Sequence, residues 1–176
     1  MSKSTIFIII IVALGFLGIN SLFTMNEKQQ GLVLQFGEPK RVIKDSGLHV
    51  KLPIIQNTVK YDKRILEYDL PIEEVIAVDK KRMLLDSFTR FKITDPLEFY
   101  KTVGNESNVR NRLNSNVISS LRRVVGRVTL DELLSEERSK IMEDIKLEVN
   151  NEASRFGIEI VDVRIRRADL PEANSQ

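Results

Sequence analysis

The sequence has 176 residues, 30% of them charged and 42% hydrophobic, with 27 Lys and Arg against 25 Asp and Glu and a net charge of +2. Charges that nearly cancel make no strong field for nucleic acid, while this mix of charged and apolar residues suits a folded, well-solvated chain. There is no cysteine, so disulfides, thiolate catalysis and Cys-ligated zinc are excluded.

The first predicted element is the run STIFIIIIVALGFLGINSLFTMN, which has no ionisable side chain from Ser4 to Asn26. At about 1.5 Å per residue a helix over 5–25 is about 31 Å long, and a bilayer's hydrocarbon core is about 30 Å thick. A secretion signal has an apolar core of about 7–15 residues before a small-x-small cleavage site. Ala13-Leu14-Gly15 is such a triplet, but Phe16, Leu17, Ile19, Leu22 and Phe23 carry the apolar run past it. The segment therefore reads as an uncleaved transmembrane anchor over 5–25, behind a cytoplasmic tail of residues 1–4. It is apolar all round and lacks the polar face of a surface helix. Lys3 and the α-amino group flank it on one side and Lys28, Lys40 and Arg41 on the other. Counting Lys and Arg does not orient it, although the closeness of the two N-terminal charges favours a tail on the inner side.

Residues 26–95 read as β. QGLVLQFGEPKRVI gives a strand at 32–36 and a Gly-Glu-Pro turn, and Asp45-Ser46-Gly47 marks another turn. NTVKYDKRIL alternates in part, with Val59, Tyr61 and Lys63 on one side. EEVIAVDKKRMLLDSFTRFKI predicts a hairpin with arms at 75–78 and 84–93 and a turn over Asp79-Lys80-Lys81-Arg82. Phe88, Phe91 and Ile93 do not share one register, which calls for a bulge or two buried faces.

Residues 96–176 read as helical, then strand. Asp95-Pro96-Leu97-Glu98 has a capping side chain, a proline at the first helical position and a glutamate at the third. A longer helix over 107–125 carries Val109, Leu113, Val117, Leu121 and Val124 as one stripe. Thr129-Leu130-Asp131-Glu132 is a capping box opening a short helix over 130–134. A helix over 135–156, with Ile141, Ile145, Val149 and Ala153 inward, ends at Gly157. The closing IEIVDVRIRRADLP alternates apolar and charged residues, with a phase slip near Val161. The fold class is α+β, with helices packed on one face of a mostly antiparallel sheet and a final strand.

Chemistry is sparse. His49, the one histidine, lies in SGLHVKLP with no nucleophile-elbow pattern near it, and no second histidine completes a zinc-protease motif. Phosphate-loop spacing is absent. Glu73-Glu74 and Glu136-Glu137 read as solvated carboxylates rather than an acid–base pair tuned by burial. Arg110, Arg112, Arg122, Arg123, Arg127, Arg164, Arg166 and Arg167 read as ion-pair partners within or between subunits, with anionic lipid headgroups as the functional alternative. No catalytic, cofactor-binding or metal-binding residue is assigned, no cofactor is expected, and the chain is not expected to be an enzyme.

Taken in order, the anchor, EKQQGLVLQFGEPKRVIKDSGLHVKLPIIQNTVKYDKRIL, DSFTRFKITDPLEFYKTVG, SLRRVVGRVTLDELLSEER and FGIEIVDVRIRRADLP resemble the stomatin/prohibitin/flotillin/HflK–HflC (band 7, SPFH) superfamily. The resemblance covers essentially the whole chain. It implies a bacterial inner-membrane protein with one span, a cytoplasmic N-terminus and a periplasmic domain. It also implies self-association in a ring or cage with the relative HflK, around the membrane-bound AAA protease FtsH, whose access to substrates the assembly regulates. Members continue past the equivalent of ADLPEANSQ into a long helix that this chain lacks, so a shortened chain is expected, without the cage-closing segment. Head-to-tail ring contacts use two different patches per subunit. They are expected on the outer sides of the 107–125 and 135–156 helices, with Arg122 and Arg123 against Glu136 or Glu137 of a neighbour. Two other readings stand beside this scaffold: a membrane-tethered peptidase, and a lipid-organising module in which 48–55 dips LPII into the interface. Against the last, Ile54 and Ile55 are expected in the core.

Overall fold

The computed structural model describes residues 3–170; side chains at 3–6, 9–10 and 13–14 lie outside the described set. The expected tail begins outside the described residues, and residues 171–176 lie outside them as well. The chain forms two compact units, Met1–Lys63 and Arg64–Gln176.

In the first unit, helix α1 (Lys3–Ser21) is followed directly by strand β1 (Leu22–Met25). The helix stops short of the expected boundary at Met25. The reason is a partner: β1 pairs antiparallel with β4 (Gly47–Val50), Leu22 opposite Val50 and Met25 opposite Gly47. Backbone groups that a longer helix would have satisfied are satisfied in this ladder instead. The last turn of α1 is closed by side chains. Asn20 Nδ2 donates to the Phe16 carbonyl at 2.8 Å and Ser21 Oγ to the Leu17 carbonyl at 2.9 Å, covering carbonyls that a helix end leaves free.

Strand β2 (Gln29–Gln35) lies between β3 (Glu38–Ile43) and β5 (Gln56–Asp62), both antiparallel to it. The turn between β2 and β3 is Phe36-Gly37, with φ of 53° and 88°, not the expected Gly-Glu-Pro. Two successive residues at positive φ give the twist that a two-residue hairpin needs. Pro39 instead lies inside β3, which a strand at the sheet edge tolerates, beside an irregularity that leaves Lys40 unpaired in the register. Met25, Val33 and Ile43 form a buried cluster with Phe23 packed against it.

The second unit is built on β8 (Arg82–Ile93). Strands β6 (Leu66–Asp69) and β7 (Glu73–Ile76) pair with successive stretches of one edge, and β9 (Ile158–Asp169) pairs with the other, all antiparallel. Every second residue of β8 is buried: Met83, Leu85, Ser87, Thr89, Phe91 and Ile93. Phe88 faces the other side, which resolves the register conflict in favour of two faces. The bulges are in β9, where Val161 and Arg166 fall between paired residues. The first is the predicted phase slip, and it lets Ile158 and Ile160, then Val163 and Ile165, all reach the buried face.

Helices α2 (Pro96–Thr102), α3 (Glu106–Val125), α4 (Leu130–Leu134) and α5 (Arg138–Ala153) follow as the patterning predicts, and α5 packs on both α3 and β9. The buried stripe of α3 is Val109, Leu113, Val117, Leu121 and Val125. Its strict four-residue step selects Val125 over the expected Val124. The Thr129/Glu132 capping box is formed reciprocally, with backbone N–H donations of 3.2 and 2.6 Å. A 3-10 turn (Ser154–Phe156) replaces the last turn of the expected 135–156 helix, and Gly157 ends it at φ 69°. The fold is thus α+β, as expected.

Candidate membrane-facing surface

The residues singled out for chemistry have structural work. His49 lies on β4 opposite Phe23, their ring centroids 5.7 Å apart, and its Nε2 donates to the Asp45 carbonyl at 3.0 Å. Glu73 accepts from Arg122 at 2.9 Å, Glu74 lies 3.4 Å from Arg82, and Arg123 is paired with Glu148. Within this single chain Arg122 and Arg123 each have a carboxylate of their own unit, with which the expected pairing to a neighbour's Glu136 or Glu137 would compete. Arg112 stacks over Phe156 at 5.4 Å. Among the described residues there is no group of three or more metal-ligating side chains.

The solvent face of the second unit's sheet is an ion network. The Arg166 bulge swings its guanidinium 5.0 Å above the Phe88 ring and 2.6 Å from Asp69, with Arg90 over the same ring and 2.9 Å from Glu67. The hydrogen bond to Asp69 outweighs partial desolvation and, with the charges of Asp69, Asp86 and Glu67, holds Arg166 above the usual arginine value. Asp162 does the same for Arg164. At Asp79 partial desolvation acts upward, but the hydrogen bonds and charge of Lys81 prevail and its carboxyl lies below the ordinary value.

Exposed apolar side chains occur in both units, Ile72 and Leu134 among them in the second, and those of the first unit include two adjoining turns. Ile54 is 91% exposed and Phe36 83% exposed, and Leu48, Val50 and Leu52 are more than half exposed. The expectation that Ile54 and Ile55 are core residues is corrected: Ile54 is among the most exposed side chains of the chain and Ile55 is only partly covered. Backbone conformation is the cause. Ile54 sits at φ 73° in the Leu52–Gln56 turn, closed by Gln56 N–H donating to the Leu52 carbonyl at 2.9 Å, and this turns its side chain outward. Phe36 lies on the adjoining hairpin tip, its N–H 3.5 Å from the Ile55 carbonyl.

The location is set by α1. Lys51 N–H donates to the Ser21 carbonyl at 2.8 Å, so the Leu52–Gln56 turn begins where the chain leaves the helix. On α1 itself the described side chains Phe7, Ile8, Ile11, Val12, Phe16, Leu17 and Ile19 are all exposed. Among the described residues no helix is long and apolar enough to cross a membrane.

A β-branched residue at positive φ is a strong departure from allowed backbone geometry. Such strain costs on the order of 1–3 kcal/mol and collects at functional sites. Ile54→Gly should therefore raise the unfolding free energy by about 1 kcal/mol, because glycine takes this φ without strain. Urea unfolding of the full chain followed by circular dichroism measures it, and a loss of stability would show that the Ile54 side chain packs against the protein after all.

Residues 23–176 match the SPFH domain / Band 7 family. The chain belongs to this family. Among its Band 7 relatives is Protein HflC of Haemophilus influenzae, 30% identical over 164 residues, which cover 87% of this chain and 56% of the relative. Stomatin-1 of Caenorhabditis elegans is 29% identical, over 84% of this chain and 43% of the relative. The Modulator of FtsH protease HflC of Escherichia coli K12 is 25% identical, over the whole chain and 66% of the relative. The chain spans little more than half the length of the HflC proteins of Haemophilus influenzae and Buchnera aphidicola that it matches.

Proposed function

We propose that this Band 7 chain is a membrane-anchored scaffold that assembles with copies of itself and an HflK-type relative, and regulates the access of substrates to the membrane-bound protease FtsH. In this reading α1 is a single span of a bacterial inner membrane, with its N-terminus in the cytoplasm and both folded units in the periplasm. The function is positional: the span concentrates the folded part at the bilayer, and steric confinement does the rest with no bond made or broken. The name of the Escherichia coli relative, a modulator of FtsH protease, supports the partner.

The observation that carries the reading is the exposed apolar side chains of Phe36, Leu52 and Ile54 at the end of the unit from which α1 leaves. Exposed apolar clusters of this kind mark membrane or protein contacts. They favour close seating of the first unit on the lipid, so the lipid-organising reading joins the scaffold reading rather than competing with it. The test is purification of the tagged full chain from its own membranes in mild detergent, followed by mass measurement of the intact complex. A multi-subunit particle containing an HflK-type protein and FtsH is expected. A monomer, or a chain that washes free of membranes in carbonate, overturns the proposal.

A further inference from the structure

Beside the apolar turn lies a cleft of about 340 Å³ lined by Arg41, Val50, Lys51, Leu52 and Gln56. We propose that this cleft binds the phosphodiester headgroup of an anionic membrane lipid, with Ile54 and Phe36 entering the acyl region next to it. The inference rests on the lipid-facing reading above and adds a ligand class to it.

Three observations carry it. First, the two cations are available. Arg41 donates one N–H to the Val50 carbonyl at 2.6 Å, which fixes its guanidinium at the end of β4 and leaves its other donors for a ligand. Among the described residues neither Arg41 nor Lys51 has a carboxylate partner, whereas neighbouring Lys40 lies 3.7 Å from Glu38. An unpaired guanidinium is the side chain best suited to a phosphate, because its planar fork matches two oxygens. Second, the charge of the chain is divided. Residues 22–63 hold seven Lys and Arg against four Asp and Glu, while residues 64–176 hold nineteen against twenty-one. The excess of positive charge belongs to the unit that carries the apolar turns, and an anionic bilayer surface is its complement. Third, the cleft is amphipathic in the order a lipid requires: Arg41 and Lys51 line it together with Leu52, and Ile54 projects from the same turn. Gln56 is partly occupied, accepting from Leu52 N–H at 2.8 Å, and serves to close the turn.

The chain has no tryptophan, so Phe36→Trp gives a single reporter on the adjoining hairpin tip. The full chain carrying it is reconstituted in vesicles that contain, at equal mole fraction, phosphatidylglycerol or phosphatidylcholine with the same spin-labelled acyl chain. Quenching by the anionic lipid is expected to exceed that by the zwitterionic one by roughly fivefold, the worth of one cation near such a surface. Adding Arg41→Gln and Lys51→Gln should bring the ratio close to one, and Lys40→Gln should leave it high. Equal quenching by the two lipids in the reporter chain overturns the headgroup site and leaves the lipid contact standing. No quenching by either removes the lipid contact itself. A ratio that collapses in millimolar glycerol phosphate assigns the cleft to a soluble phosphate and overturns a lipid occupant.

Discussion

Replacing Phe36 and Ile54 together by aspartate should detach the first unit from the bilayer while the chain stays in the membrane. Burying a Phe or Ile side chain contributes roughly 1.5–3 kcal/mol, so losing both removes about 3 kcal/mol or more before the cost of placing two carboxylates at an interface is counted. At 1.4 kcal/mol per factor of ten, that corresponds to a change of at least about a hundredfold in the contact equilibrium. Amide hydrogen exchange in lipid nanodiscs reads it directly. Amides of the Phe36-Gly37 turn and the Leu52–Gln56 turn are expected to be protected in the parent chain and to exchange at least about a hundredfold faster in the double variant. The amides of β2, buried at Leu32 and Val33, should be unaffected. Retention of the variant in the membrane pellet separates the two proposed roles, α1 as tether and the turns as contact. Protection that survives the double substitution would mean that a protein surface covers these turns, and the lipid-facing reading would fail.

The distinction between tether and contact also marks how far the sequence could be read. Where a signal is local, the reading held. The reciprocal Thr129/Glu132 cap and the break of alternation at Val161 each depend on side chains a few residues apart, and the structure keeps them, while the stripe of α3 differs at its last residue, Val125 in place of Val124. Where the deciding partner is remote, the reading failed. LFTM continues an apolar run and fits a helix or a strand equally, and only β4, more than twenty residues on, makes it a strand. Arg122 reads as an ion-pair partner in the sequence, but its carboxylate cannot be named there, because Glu73 lies on β7. Ile54 reads as a core residue in the sequence because apolar residues usually are buried. The sequence holds one cue to the contrary, a Pro-containing turn with no alternation around it, but nothing that fixes the sign of φ at Ile54. A second cue was overlooked: Arg166-Arg167 puts two charges side by side after a clean alternation, the pattern a bulge leaves when two residues oppose one. The candidate site was legible only as an alternative, since its apolar residues acquire meaning from exposure and its cations from having no carboxylate partner among the described residues.

Gly157→Ala should be the most damaging single methyl in the second unit. Gly157 holds φ 69°, a region that costs a residue with a Cβ about 1–2 kcal/mol. The added Cβ would also sit 2.3 Å from the Asp95 carbonyl oxygen and 2.9 Å from the Phe99 nitrogen. Those two atoms make the first helical hydrogen bond of α2, at 3.0 Å, and Asp95 caps the same helix through Leu97 N–H at 2.9 Å and Glu98 N–H at 3.2 Å. Meanwhile the Gly157 carbonyl accepts from Thr94 N–H at 2.9 Å and Asp95 N–H at 3.1 Å. The methyl group therefore has nowhere to go without parting α2 from the start of β9, and Phe99, fully buried, moves with α2. Overpacking of this kind costs about 1–3 kcal/mol beyond the backbone term, so a total of about 2–5 kcal/mol is expected. That is a large share of the roughly 5–15 kcal/mol that holds a domain together. Thermal and urea unfolding of the full chain by circular dichroism give the value. Gly157→Asn separates the two causes, because asparagine visits the left-handed region readily yet carries the same Cβ. It should remain destabilised by about 2 kcal/mol from the contact with Asp95 alone. An asparagine variant as stable as the parent would show that the α2–β9 junction yields to the methyl, and that conformation alone makes position 157 a glycine.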